Sequence, residues 1–225
     1  LNGRRDDLNF GLQMSGYIFD LIREGENEVL DFKHSITDSK KIARSLVAFA
    51  NTHGGKLLVG VRDNGSISGI TSEEEFYMVE AAAHLYCKPE VRFSTETWII
   101  KGKTVLEITI PKSLQKTYYA RDKDGKWKVY IRVKDQNLLA NRVLIKAWKQ
   151  RQKKKGTLIR YTDKEKILLD YLSDHSYITF SKFRKIARIS PFKAERILIN
   201  MVVLNLVEIV FTENSTYYTL KQDSA

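Results

Sequence analysis

The sequence predicts an α/β domain followed by a smaller domain of helices and a hairpin. Between residues 26 and 69 a strand, a helix, a strand, a turn and a further strand follow one another. Residues 91–110 alternate apolar and polar side chains on both sides of a tight turn, which is typical of a β-hairpin. After residue 161 the pattern changes to three short amphipathic helices and two strands. The chain of 225 residues is long enough for both domains.

Local signals define the first strand and the helix after it. Val29, Leu30 and Phe32 form a short apolar run between charged residues, which predicts a strand. Asp38 can cap the following helix, because its carboxylate accepts hydrogen bonds from the first free N–H groups. The buried face of that helix is predicted by apolar residues at helical spacing, which are Ile42, Leu46, Phe49 and Ala50.

Glycines mark the next boundaries. The helix is expected to end at Gly54-Gly55, since glycine adopts left-handed conformations at little cost. Residues 57–61 then form a short buried strand, and residues 63–66 predict a hairpin turn. Asn64-Gly65 suits the two positive-φ positions of a type I′ turn. Further on, a helix running toward Cys87 and an increasingly basic helix over residues 138–155 are expected.

The positive charge of the chain is concentrated in one segment. The formal net charge is +11, of which residues 1–135 carry +2 and residues 161–225 carry +1. Residues 136–160 contain no Asp or Glu and eight cations: Arg142, Lys146, Lys149, Arg151, Lys153, Lys154, Lys155 and Arg160. Such a stripe attracts phosphates by releasing their counterions. The alternative interpretation is a solvated helix end and a linker.

The composition argues against several classes of protein. No apolar run approaches the roughly 20 residues that a membrane helix needs. The first residues contain no apolar signal-peptide core. Cys87 is the single cysteine, which excludes an internal disulfide and a zinc site with several cysteines. We therefore expect a cytoplasmic location and no membrane contact.

The second domain resembles a winged helix-turn-helix. Helices are predicted over residues 164–175, 181–189 and 191–205, and Pro191 suits the first position of the third. Two strands follow around a turn at residues 213–215. Three short helices followed by a β-hairpin is the order of the winged helices common in bacterial regulators.

In that fold the third helix enters the major groove of DNA. Its exposed candidates are Phe192, Lys193, Arg196 and Asn200. Cations of the second helix are expected to contact backbone phosphates beside it, namely Lys182, Arg184, Lys185 and Arg188. From the basic segment, the same role is expected for Lys146, Lys149, Arg151, Lys153, Lys154 and Lys155. The alternative is a domain that mediates dimerisation or protein contacts.

Three segments of the first domain together resemble the Schlafen AlbA-like family. They are ENEVLDFK at residues 26–33, AFANTHGGKLLVGVRDNGSISGI at 48–70 and YIRVKDQNLLA at 130–140. The resemblance implies an α/β fold with a mixed sheet and helices against it. Many bacterial members join this module to a helix-turn-helix domain and are described as transcriptional regulators. We therefore predict domains at residues 1–152 and 161–225, with a basic linker at 153–160.

The resemblance also implies an alternative function as an RNA or tRNA endonuclease. In Schlafen proteins that cut RNA, an acidic triad lies in this module, and its positions fall on Glu26, Asp31 and Asp63. Three carboxylates can hold Mg²⁺ or Mn²⁺ and activate water against a phosphodiester. Asp31 stands where the family pattern has Glu. On one regular strand Glu26 and Asp31 would face opposite sides, so they converge only if Glu26 lies in the preceding turn.

The sequence contains two further candidate sites. Gly54-Gly55-Lys56 can approach a phosphate of a nucleotide such as ATP, but the chain has no G-x-x-x-x-G-K-S/T loop. His84 and Cys87 are expected three residues apart on one helix and provide only two metal ligands. We therefore predict a DNA-binding protein with no favoured catalytic residue, cofactor or metal. RNA binding and a homodimer remain open alternatives.

Overall fold

The computed structural model describes residues 16–114, 117–153 and 161–221. Its contacts divide the chain into two compact units, Leu1–Leu139 and Ala140–Ala225. The basic helix, which the sequence placed at the end of the first domain, packs within the second unit. Within the described residues, no helix is long and apolar enough to cross a membrane.

The first unit contains most of the strands. Its helices are α1 (residues 16–24), α2 (Ser39–Asn51) and α3 (Glu74–Leu85). Its strands are β1 (Leu30–Lys33), β2 (Gly55–Val59), β3 (Cys87–Lys88), β4 (Ser94–Ile100), β5 (Lys103–Ile110), β6 (Tyr119–Arg121), β7 (Trp127–Lys128), β8 (Tyr130–Val133) and β9 (Gln136–Leu139).

A mixed four-stranded sheet forms the centre of this unit, in the order β1-β2-β5-β4. Strand β1 runs parallel to β2, whereas β2 with β5 and β5 with β4 are antiparallel. The predicted mixed sheet and the β4–β5 hairpin are therefore confirmed. Strands β3, β6 and β7 form a small separate sheet, and β8 pairs with β9 as a hairpin.

The sheet has an apolar core on each face, because successive side chains of a strand point to opposite sides. On one face Leu57 and Val59 pack with the predicted apolar side of α2. On the other face Phe32 and Leu58 pack with Ile18 of α1. Asp31 lies between Leu30 and Phe32 in β1, so its side chain belongs to the α2 face.

The predicted N-cap of α2 is confirmed. Asp38 Oδ1 accepts hydrogen bonds from the backbone N–H groups of Lys40, at 2.9 Å, and Lys41, at 3.4 Å. The helix ends at Asn51, and Gly54 and Gly55 lie beyond it with positive φ angles. Glycine therefore permits the sharp change of direction between α2 and β2, as the sequence indicated.

The predicted type I′ turn at Asn64-Gly65 is wrong. Gly65 has a φ of 77°, but Asn64 has none in the left-handed region. The Asn64 side chain instead accepts from the N–H of Ser66 at 3.0 Å, and the N–H of Gly65 closes a turn onto Arg62. Two consecutive positive φ angles occur at residues 101 and 102, 50° and 75°, at the tip of the β4–β5 hairpin.

The second unit contains four helices and one hairpin among the residues that are described. These are α4 (Arg142–Arg151), α5 (Asp163–Asp174), α6 (Phe180–Ala187), α7 (Pro191–Val203), β10 (Val207–Phe211) and β11 (Thr216–Leu220). Between α5 and α6, Ile178 exchanges two 2.9 Å backbone hydrogen bonds with Tyr218 of β11. Phe183, Leu198 and Val143 belong to a single apolar core, which therefore joins α4, α6 and α7.

We predict that Gly54→Ala destabilises the fold more than Gly102→Ala. Both glycines have left-handed φ angles, 76° and 75°, so an alanine at either costs about 1–2 kcal/mol. A Cβ at Gly54 would also lie 2.8 Å from the carbonyl oxygen of Ile110, whereas one at Gly102 meets nothing within 4 Å. Urea unfolding of both variants measures the difference. Equal losses of unfolding free energy would contradict the close approach at Gly54.

Candidate functional site

An exposed polar face of α7 is the first candidate site. Ser190 Oγ caps the helix by accepting from the N–H of Lys193 at 3.3 Å, and Pro191 occupies its first turn. Ala194, Ile197, Leu198 and Met201 are buried, so they fix the opposite face in the core. Phe192 is 72% exposed, and Lys193 and Arg196 are also exposed. The exposed face therefore combines an aromatic ring with two cations.

The turn between α6 and α7 is three residues long. Arg188 caps α6 in the left-handed conformation, with a φ of 50°, and the chain enters α7 after Ser190. The exposed cations of α6 and its cap are Lys182, Lys185 and Arg188. Arg184 is half-buried, and no described residue accepts from its Nε.

Glu195 holds α4 against α7. Its carboxylate contacts the Lys146 ammonium at 2.5 Å and the Arg142 guanidinium at 3.5 Å, and its side chain is only 13% exposed. Lys146 was predicted to contact a phosphate, but its ammonium group is already paired with the Glu195 carboxylate. The sequence did not predict the role of Glu195, because nothing in the sequence near this residue indicates its partners in α4.

Two other predicted contacts also brace α7. Arg151 Nη2 donates to the backbone carbonyl of Val202, near the end of α7, and to Asn205 Oδ1 at 2.6 Å. Asn200 accepts from the side-chain amide of Gln150 at 3.3 Å. These two side chains therefore help to join α4 to α7, a role that their spacing in the sequence did not indicate.

The predicted cations that stay exposed are fewer than the sequence suggested. In α4 and just after it, Lys149, Arg151 and Lys153 are exposed, and of these Arg151 is bonded to Val202 and Asn205. Lys154 and Lys155 lie outside the described residues. The second unit nevertheless contains 17 Lys or Arg against eight Asp or Glu, and thus carries +9 of the formal net charge of +11.

A cavity of about 700 Å³ opens beside the N-terminus of α7. Phe180, Phe192 and Tyr218 line it, and Arg142 and Glu195 contribute its charged groups. Burial raises the pKa of the Tyr218 hydroxyl from 10.0 to about 12. The volume lies within the range of small-ligand pockets. Phe192 belongs both to this lining and to the exposed face of α7.

The first unit contains a buried ionic cluster around Arg132. Asp31 and Arg132 are 3% and 2% exposed, and Arg132 Nη2 donates to Asp31 Oδ1 at 3.1 Å. Lys33 approaches the other oxygen of Asp31 at 3.0 Å and Glu26 Oε1 at 4.0 Å. Glu26 lies in the turn before β1, so two members of the predicted acidic triad do come together.

Asp63, the third member, is not part of this cluster. It lies exposed in the turn that follows Val61, whose side chain packs on the α1 face of the sheet, whereas Asp31 belongs to the α2 face. Within the described ranges, no group of three His, Cys, Asp or Glu side chains is placed to hold a metal ion. Arg132 and Lys33 instead balance the charge of Asp31 and Glu26.

The residues of the other two candidate sites also make contacts within the chain. A Cβ at Gly55 would lie 2.5 Å from the Phe49 ring, and Lys56 pairs with the buried Glu107. Helix α3 ends at Leu85, so Cys87 lies in β3 rather than one turn after His84 on the same helix. Burial raises the pKa of the Cys87 thiol to about 12.

The mixed sheet with an apolar layer on each face defines the first unit as an α/β domain. The sequence profile of the Schlafen AlbA_2 family matches residues 26–141, which is just over half of the chain. The chain belongs to this family. A comparison with curated proteins gives no match.

Two solved structures are similar to the chain. The crystal structure of the DIP2311 protein from Corynebacterium diphtheriae is 19% identical, with a TM-score of 0.44, over 67% of this chain and 29% of that one. The chain thus spans less than a third of that protein. The NMR structure of the N-terminal domain of an ATP-dependent DNA helicase RecG-related protein from Nitrosomonas europaea is 21% identical, with a TM-score of 0.38, over 56% of this chain and 95% of that domain.

We predict that Glu26 makes the stability of the fold depend on pH near neutrality. Burial, with the neighbouring Asp31 carboxylate, raises the pKa of Glu26 from 4.5 to about 7. A raised carboxyl pKa means that ionisation opposes folding, so the cost is absent at low pH and complete above pH 7. We expect the unfolding free energy of the wild type to fall by roughly 2–3 kcal/mol relative to Glu26→Gln as the pH rises through this window.

Urea unfolding of both proteins at a series of pH values measures this difference. Gln keeps the oxygen that accepts from the N–H of Phe32 at 2.8 Å, so the comparison isolates the charge. Glu24→Gln removes an exposed carboxylate nearby and serves as the matched control. The prediction fails if the two variants give the same dependence on pH.

Proposed function

We propose that the chain is a DNA-binding transcriptional regulator whose second unit is a winged helix-turn-helix. In this proposal α5, α6 and α7 are the three helices, and the β10–β11 hairpin is the wing. The bridge from Ile178 to Tyr218 attaches the wing to the helices. The three-residue turn between α6 and α7 is of the length found in helix-turn-helix motifs.

The observation that carries the proposal is the exposed face of α7 in a unit of net charge +9. A helix in the major groove presents a few side chains to base edges, and Arg196 and Lys193 are free to extend from this face. The buried core holds the other side of α7, and α4 braces it through Glu195, so the exposed face is rigid. A rigid face reduces the entropy lost on binding.

The roles of the cations divide by position. Lys182 and Lys185 on α6, together with Lys149 and Lys153, are exposed and would contact backbone phosphates, which fixes the protein on the duplex without reading its sequence. Arg196 would reach a base edge, because arginine forms two parallel hydrogen bonds to guanine. Lys146, Arg151 and Asn200 support α7 from behind rather than contacting DNA.

The decisive experiment is binding of the full chain to duplex DNA and to structured RNA by fluorescence anisotropy over a salt series, with and without Mg²⁺. Salt-sensitive binding that favours DNA supports the proposal. Stronger binding to RNA than to DNA would indicate an RNA-binding protein. Cleavage of the RNA in the presence of Mg²⁺ would support the endonuclease alternative. No affinity at physiological salt would favour a protein-interaction module.

We expect the double variant Lys149→Ala, Lys153→Ala to bind every duplex more weakly by a similar factor. Each lost phosphate contact should reduce the slope of log affinity against log salt by about 1. The matched control is Lys123→Ala, which removes an exposed cation from the first unit. An unchanged slope in the double variant, or an equal change per lysine in the control, would remove the two lysines from the interface.

Arg196→Ala should weaken binding to a selected sequence by about 1–3 kcal/mol and affect random duplexes much less. Arg196→Lys is the matched variant, since it keeps the charge but cannot form the forked pair with guanine. Affinities on selected and random duplexes are compared for the three proteins. If lysine restores the preference completely, or if alanine weakens all sequences equally, Arg196 does not read a base.

A further inference from the structure

The two edge strands of the mixed sheet, β1 and β4, differ in whether their outward backbone groups are hydrogen-bonded. At the β1 edge, the N–H of Phe32 donates to Glu26 Oε1 at 2.8 Å, and the carbonyl of Leu30 accepts from Arg132 Nη2 at 3.2 Å and from the N–H of Asn27 at 2.9 Å. Side chains and the preceding turn therefore occupy the groups that another strand would need. Covering of this kind protects an edge from pairing with a second chain.

Strand β4, at the other edge, has no such cover. A two-residue loop joins β4 to β5, so Ile100 and Lys103 form a hydrogen-bonded pair. Hydrogen-bonded and non-hydrogen-bonded pairs then alternate along the hairpin. The N–H and C=O groups of Thr95, Thr97 and Ile99 consequently point away from β5. Among the described residues, none makes a hydrogen bond to these groups.

The side chains of β4 do not protect it either. Ile99 is 76% exposed, and Thr97 is exposed beside it. Glu96 is the one charged residue among the seven residues of β4. The strand contains no proline or glycine. β-Branched residues at an open edge favour pairing with another strand.

We propose that β4 pairs antiparallel with β4 of a second copy of this chain, about a two-fold axis at Thr97. This register sets Thr97 opposite Thr97 of the partner subunit and Thr95 opposite Ile99 of the partner subunit. All three outward residues of each strand then exchange backbone hydrogen bonds, six in total. The two four-stranded sheets become one continuous sheet of eight strands.

The sequence of β4 selects this register over its neighbours. An axis at Glu96 would set two glutamates directly opposite each other, which is unfavourable. An axis at Trp98 would leave Thr95 without a partner. With the axis at Thr97, Glu96 instead faces Trp98 of the partner subunit, and no like charges meet. The strand is therefore complementary to itself in a single arrangement, which is what a symmetric dimer requires.

Sedimentation of the full chain over a range of concentrations tests the proposal, which does not depend on DNA binding. The wild type should show a reversible monomer–dimer equilibrium. Thr97→Pro removes an outward N–H, a position where an edge strand tolerates proline, and should raise the dimer Kd roughly tenfold or more. Thr97→Val keeps the N–H and should leave the Kd unchanged.

A wild type that stays monomeric, or a Thr97→Pro variant that dimerises normally, overturns the proposal. Thermal unfolding shows whether the proline variant is folded. If it is not, Ile99→Lys provides the same test, because it places a charge on the exposed edge and leaves the backbone unchanged. An unaltered Kd for a folded Ile99→Lys variant would equally overturn it.

Cysteine cross-linking tests the register. Paired Cα atoms in this arrangement lie about 5.5 Å apart, within reach of a disulfide, so Thr97→Cys should form a covalent dimer on oxidation. Ile99→Cys is the matched control, because its two copies are offset by about 13 Å along the strands. The native Cys87 is buried and contributes no background. Equal cross-linking of both variants would contradict an axis at Thr97.

Discussion

The first unit depends on one buried ion pair, between Asp31 and Arg132. The pair joins β1 to the β8–β9 hairpin across 101 residues of sequence. Arg132 also donates to Asn137, which in turn donates to Ser45 of α2, and its guanidinium lies 5.1 Å from the ring centre of Phe49. Removing Asp31 would leave Arg132 as an uncompensated buried charge, at a cost of about 3–5 kcal/mol. The same pair fixes the start of β1, and thus the position of Glu26 beside it and the closed state of that edge.

Glu195 has a comparable role in the second unit. It is an acidic side chain largely covered by protein, and it draws two cations of α4 onto α7. The carboxylate pairs with two of the cations that the sequence predicted to be part of a phosphate-attracting stripe. It also joins α4 to the second unit, whereas the sequence placed this helix at the end of the first domain. Helix α4 and the exposed face of α7 therefore belong to the same folded unit, so that both would be available to one duplex.

The sequence predicted the features that depend on nearby residues. The Asp38 cap and the apolar face of α2 lie within one helix, and both were correct. It could not predict Asp31 with Arg132, or Lys146 with Glu195, because these pairs are 101 and 49 residues apart and each cation looks like any other. The turn at Asn64 shows a different limit: the dipeptide permits a type I′ turn, but the Asn64 side chain bonds to Ser66 and a different turn forms.

The separation of charge between the units has a kinetic consequence. Since +9 of the +11 belongs to residues 140–225, the second unit carries most of the net positive charge. A distant polyanion therefore attracts the second unit more strongly than the first. Encounters then begin in a favourable orientation, which raises the association rate at low ionic strength. At 0.15 M salt the field is screened within about 8 Å, so this advantage is limited to the last approach.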